Sequence, residues 1–75
     1  MRKGRLDEAA RQFRHILLLD PNDIDARYEL SVILTKQGKI DQAVQEFRRV
    51  LDLDPGHKEA RRCLQDLTKK QNPPR

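Results

Sequence analysis

The side chains of this 75-residue chain that are best suited to catalysis or metal binding are His15, His57 and Cys63. Imidazole and thiolate groups bind zinc, and a cysteine activated by a histidine can act as a nucleophile. A structural zinc site needs four ligands, however, and these three residues are not closely spaced. His57 and Cys63 stand in a predicted turn and helix, which places them on different faces more readily than on one. The residues therefore predict neither an enzyme nor a metal site, and they imply no cofactor.

Basic residues form the other chemically distinctive group. The formal net charge is +4, from 16 basic and 12 acidic residues, and the excess lies at the two ends of the chain. Phosphate contacts could come from Arg61, Arg62, Lys69, Lys70 and Arg75. Base stacking needs aromatic rings, and Phe13 and Phe47 are expected in the core. Association with nucleic acid through a basic surface is therefore kept as the alternative function.

The composition also indicates a cellular setting. The chain has one cysteine, so an intramolecular disulfide is impossible, and a reducing environment is expected. Its longest unbroken apolar run covers residues 16–19, far below the roughly 20 residues that span a bilayer. No apolar stretch near Met1 resembles a secretory signal. We expect a soluble, cytoplasmic protein with no membrane partner.

The sequence repeats with a period of 34 residues, and this repeat predicts the elements that position the side chains. Between residues 4 and 23, nine of twenty positions are identical to those 34 residues later. Gly4 matches Gly38, for example, and Pro21 matches Pro55. The same offset continues beyond the proline, where Ala26 matches Ala60 and Leu30 matches Leu64.

Within the repeat, apolar residues recur at the spacing of two amphipathic helices. Ala26, Leu30, Ile33 and Leu34 form one stripe, and residues 40, 43, 44, 47, 50 and 51 form another. We therefore predict a single domain over residues 1–75 with four helices and a disordered tail at residues 72–75. The helices are expected at about residues 5–19, 23–37, 40–53 and 57–70.

Turn residues separate the predicted helices. Gly38 suits a left-handed residue that closes the first helix of the unit. Proline disfavours helical geometry in the residue before it, so Pro21 and Pro55 mark the end of the second helix. Asn22, with Asp25 three residues later, resembles a helix-starting cap.

These residues resemble the tetratricopeptide repeat family, which has a 34-residue period and characteristic alanine, phenylalanine and proline positions. Gly38, Ala43, Phe47 and Pro55 match in one copy, and their equivalents 34 residues earlier match in the other. Arg27 departs from the pattern, because the family usually has tryptophan there. The resemblance implies an all-α right-handed solenoid of antiparallel hairpins with about two repeats. It also implies a scaffold that binds proteins or peptides.

In the family, the first helix of each pair lines the groove that takes a peptide or a partner helix. Tyr28 and Val32 lie one turn apart, roughly opposite the core stripe, and are the central groove candidates. Packing against a neighbouring helix is the alternative interpretation for this pair. Charged candidates around the groove are Asp25, Lys36, Arg62, Asp66, Lys69 and Lys70.

The first predicted helix corresponds to the second helix of a unit and has no partner before Gly4 in this sequence. About three units are normally needed to bury such faces. Its apolar stripe should therefore lie partly bare, which indicates either a piece of a longer array or self-association as a homodimer. The self-association candidates are Leu6, Ala10, Phe13, Leu17 and Leu18.

Overall fold

The chain folds into four α-helices that pack in sequence. The computed structural model describes residues 2–71, and the side chains of residues 4–69. The helices are α1 (Arg2–Leu19), α2 (Ile24–Lys36), α3 (Ile40–Leu53) and α4 (Lys58–Gln71). Helix α1 packs on α2, α2 on α3, and α3 on α4. The predicted all-α class is confirmed, although α1 begins earlier than residue 5. The tail expected at residues 72–75 lies outside the described residues.

The core lies where α2 and α3 meet and extends to α1 and α4. Both predicted stripes are buried, since Leu34, Ala43, Phe47 and Val50 are almost completely inaccessible to solvent. Ala10 from α1 and Ala60 and Leu67 from α4 complete this cluster. Apolar burial contributes roughly 1.5 to 3 kcal/mol per large side chain, so this cluster is the main source of stability.

A small polar residue permits close packing at the middle of α2. Ser31 is fully buried, and its Oγ donates a hydrogen bond to the carbonyl of Arg27 at 2.7 Å. The bond satisfies the hydroxyl, which would otherwise destabilise a buried position. A side chain of this size leaves room for the neighbouring helices.

Two arginines make the same contact in the two copies of the repeat. Nη2 of Arg27 donates to the carbonyl of Pro21 at 2.8 Å, and Nη2 of Arg61 donates to that of Pro55 at 2.6 Å. Each bond holds the start of a helix against the turn before it. Arg27 also forms an ion pair with Glu46 of α3, with 2.7 Å between Nη1 and Oε1. Arginine thereby connects α2, its preceding turn and α3 where tryptophan was expected.

The helix ends follow the predicted turns with one correction. Gly38 has a φ of 80°, and Lys39 N–H donates to the carbonyl of Leu34 at 2.9 Å, so the left-handed closing residue is confirmed. The predicted cap at Asn22 is wrong by one residue. Asp23 caps α2, because its Oδ1 accepts from Ala26 N–H at 3.0 Å. The equivalent residue before α4 is His57, whose Nδ1 accepts from Ala60 N–H at 3.1 Å.

Replacing the capping residue tests this correction. Asp23→Ala removes the acceptor for Ala26 N–H and should lower the free energy of unfolding by about 1 kcal/mol. Asn22→Ala is the matched control and should change it by less than about 0.5 kcal/mol. Urea unfolding followed by circular dichroism measures both values. Equal losses in the two variants would contradict the assignment of Asp23 as the cap.

Candidate functional site

A groove runs between α2 and α4, which both pack on α3. Val32, Thr35 and Lys36 of α2 and Cys63, Asp66 and Leu67 of α4 line its first pocket, together with Phe47 of α3. This pocket has a volume of about 260 Å³. A second pocket of about 380 Å³ is lined by Tyr28 of α2 and by Lys58, Glu59, Arg62 and Cys63 of α4. Because Cys63 lines both pockets, they are neighbours in one groove.

Helical spacing explains why these side chains share the groove. Tyr28, Val32 and Lys36 recur every four residues and therefore lie on one face of α2. Residues 59, 62, 63 and 66 recur at intervals of three, one and three, which also places them on one face of α4. Helix α3 contacts both α2 and α4 and contributes Phe47 to the lining of the first pocket.

The structure brings together most, but not all, of the predicted groove candidates. Tyr28, Val32, Lys36, Arg62 and Asp66 line the two pockets. Asp25 and Lys69 are exposed, and neither lines these pockets. The side chain of Lys70 lies outside the described part of the chain. Cys63 and Glu59 were not among the predicted groove residues, although each lies three residues before one that was, Asp66 and Arg62 respectively.

Tyr28 packs against two rings in addition to facing the groove. Its ring centroid lies 5.9 Å from that of Phe47 in an edge-to-face arrangement and 4.9 Å from that of His57. Both sequence interpretations therefore apply to this residue: it packs on neighbouring elements and also lines a pocket. Its position is held by aromatic contacts worth about 0.5 to 1.5 kcal/mol each beyond simple burial.

The environment of Tyr28 disfavours its ionised form. Burial raises the pKa of the Tyr28 hydroxyl, and the nearby Cys63 thiol and the carboxylates of Glu59 and Glu29 act in the same direction. The phenol therefore stays protonated at neutral pH and presents a hydrogen-bond donor.

His57 and Cys63 lie closer to a common point than the sequence suggested. The His57 ring lies tilted against the Tyr28 ring, and Cys63 lines a pocket with Tyr28, so both are neighbours of the same ring. His57 also lies 3.7 Å from Glu59, and its Nδ1 is occupied in capping α4. Within the described residues, no group of three or more His, Cys, Asp or Glu side chains could hold a metal ion.

Two opposite charges face each other across the first pocket. Lys36 stands on the α2 side and Asp66 on the α4 side. Among the described side chains, Arg27 and Glu46 form an ion pair, and Lys36 and Asp66 form none with each other. The pocket thus combines apolar walls with one available cation and one available anion.

The self-association candidates on α1 divide into buried and exposed residues. Ala10 lies in the core, so its inclusion in an exposed contact surface is corrected: this side chain already packs inside the molecule. Leu6, Phe13 and Leu17 are half-buried against the core, and Leu18 is 80% exposed. Ile16, on the same helix, is also partly bare.

Comparison with known proteins identifies the class of this fold. Residues 1–67 match the tetratricopeptide repeat family, and the chain belongs to that family. Repeats of this kind generally mediate protein–protein interactions and are typically non-catalytic. No curated protein matches the chain. Among the described residues, none of the helices combines the length and apolar character needed to cross a bilayer.

The raised pKa of Tyr28 gives a direct test of the groove geometry. Tyr28 is the single tyrosine of the chain, so phenolate absorbance in the ultraviolet reports on it alone. The phenolate should appear at higher pH in the folded protein than in urea, where the pKa is about 10. Because the unfolded state loses this proton first, the stabilisation by Tyr28 is complete below about pH 10 and is lost as pH rises through the folded pKa.

Tyr28→Phe is the control for other groups that titrate in this range. Its unfolding free energy should fall less steeply with pH above about 10 than that of the wild type. Identical titration of Tyr28 in the folded and urea-unfolded chain would show that its hydroxyl is not desolvated.

Proposed function

We propose that this protein is an interaction module that holds a peptide or partner helix in the groove between α2 and α4. The observation that carries the proposal is the first pocket, where Val32, Phe47 and Leu67 provide apolar walls beneath the open groove. Its volume is about 260 Å³. A pocket of this size suits an apolar side chain that projects from a longer partner.

The charges beside this pocket support a partner with charged residues around its apolar anchor. Lys36 would pair with an acidic residue on one side, and Asp66 with a basic residue on the other. Charge pairs at the rim mainly select partners and orient them, while the buried apolar contact supplies most of the affinity. The groove therefore favours a peptide of mixed charge.

We also propose that the apolar face of α1 associates with another helix, and that the protein works as a single domain in the reducing cytoplasm. The first point is supported by the exposure of Ile16 and Leu18 on α1. The second is supported by the free thiol of Cys63.

The nucleic-acid alternative has less support from the described residues. Phe47 is buried in the core, and Tyr28 packs on Phe47 and His57, so neither ring is free for a base to stack on. Arg61 already donates to the carbonyl of Pro55.

Peptide selection tests the groove. Peptides selected from a displayed random library for binding to the wild type should lose at least about tenfold in affinity for Val32→Asp, because a carboxylate would line the apolar pocket. Leu53→Asp is the matched control, since Leu53 is a partly exposed apolar residue on α3 outside the groove. Its affinity should stay within about twofold of the wild type.

Circular dichroism would show that both variants keep the helical fold. Selected peptides that bind Val32→Asp as tightly as the wild type would reject the groove as the binding site.

A further inference from the structure

The repeat itself shows which face of α1 lacks a neighbour. Helix α1 is equivalent to α3, and the Ile16 position corresponds to Val50. Val50 is 0% exposed, whereas Ile16 is 38% exposed. Ala43, Glu46 and Val50 share one face of α3, and Glu46 pairs with Arg27 of α2. This is therefore the face that α3 presents to α2. The same face of α1 is uncovered in the described chain.

The uncovered face has the spacing of a helix-pairing seam. Residues 5, 9, 12, 16 and 19 recur at alternating intervals of four and three, the pattern along which two helices pack side by side. Ala9 is small enough for close approach, and Ile16 and Leu19 supply apolar contact. Leu19 is 77% exposed, so its contact surface is available.

We propose that a second copy of this chain covers the α1 face, with the two α1 helices antiparallel about a two-fold axis close to Gln12. The inference rests on the proposed association of α1 with another helix and names the occupant. In this arrangement Ala9 of each copy faces Ile16 of the other, so a small residue meets a large one. A two-fold axis forms every such contact twice.

Charge complementarity selects the antiparallel direction. Arg5 lies at one end of the seam, and Asp20 follows its other end directly. An antiparallel pair places Arg5 of one copy beside Asp20 of the other, at both ends of the interface. A parallel pair would instead bring the two Arg5 side chains together. Both residues are exposed in the single chain and are therefore available for this contact.

Helix α4 of another copy is a poorer occupant of the same face. If the stack of repeats continued from one copy into the next, α4 of one copy would pack against α1 of the other as α2 packs against α3. Gln65 would then occupy the position equivalent to Ser31. Ser31 is fully buried, so the longer glutamine would overpack this position.

The expected dimer is weak. Stable specific interfaces bury about 1,200 to 2,000 Å², and a single pair of 18-residue helices falls at or below the lower end of that range. We expect monomers at low micromolar concentration and dimers at concentrations of roughly 100 μM or more.

Single cysteines introduced on α1 test the geometry. In a Cys63→Ser background, Gln12→Cys places a thiol beside the axis and should give a disulfide-linked dimer under mild oxidation. Leu19→Cys is the matched control, because in the antiparallel pair the two introduced thiols stand about 20 Å apart. Linkage at Gln12→Cys alone supports the proposal. Equal linkage at both positions would indicate a parallel pair, and no linkage at either position would indicate a monomer or another interface. Both of the latter results would overturn the proposal.

Charge exchange tests the predicted ion pair independently. Arg5→Asp should weaken dimerisation roughly five- to tenfold in sedimentation equilibrium, because it replaces two attractive contacts with two repulsive ones. Adding Asp20→Arg should restore association to within about threefold of the wild type. Circular dichroism monitors the fold, since the Asp20 carboxylate also accepts from Asn22 N–H at 3.2 Å. A folded double variant that stays as weak as Arg5→Asp would overturn the proposed register.

The groove and the α1 seam share no residue, so the two proposals can fail separately. If the protein never dimerises but selected peptides still require Val32, only the dimer proposal is rejected. If the dimer is cross-linked as expected but selected peptides bind Val32→Asp as tightly as the wild type, only the groove proposal is rejected.

Discussion

The structure depends on the coverage of α3 from both sides. An amphipathic helix of 14 residues has little stability by itself, and most of its stability comes from burying its apolar face. Helix α2 covers one side of α3 and α4 covers the other, and Phe47 is buried between them. The same ring contacts Tyr28 and lines the first pocket of the groove. Core packing and the geometry of the candidate site therefore rest on one side chain.

Much of the fold could be predicted from the sequence because its causes are local or repeated. The 34-residue period and the apolar stripes predicted the four helices, and Gly38 predicted its own left-handed conformation. The cap of α2 was misplaced because Asn22 and Asp23 are both good capping residues, and the choice depends on which oxygen reaches Ala26 N–H. Ala10 was wrongly assigned to an exposed surface. One edge of the apolar stripe of α1 is partly exposed, but the other edge, which includes Ala10, is buried against α2 and the core.

The candidate site was less predictable because it belongs to two helices that are distant in sequence. The spacing of Tyr28, Val32 and Lys36 identified the α2 wall. Which residues of α4 oppose that wall depends on how α2 and α4 pack on α3, and the sequence gives no local sign of this packing. Cys63 was not among the predicted groove residues, yet it lies where the two pockets meet.

The two proposed contact surfaces have different physical origins, and this difference bears on how they act together. The groove exists because α2 and α4 both pack on α3 and face each other across Phe47, whereas the α1 seam is exposed because no helix of the described chain covers it. Since they share no residue, occupation of one leaves the other accessible. A dimer through α1 would therefore carry two grooves at a fixed separation. A partner with two suitable segments would bind such a dimer more tightly than either groove alone, provided that its linker spans the two sites. Weak pairing of α1 would then be strengthened by the partner, because binding to both grooves and association of the two copies are thermodynamically linked.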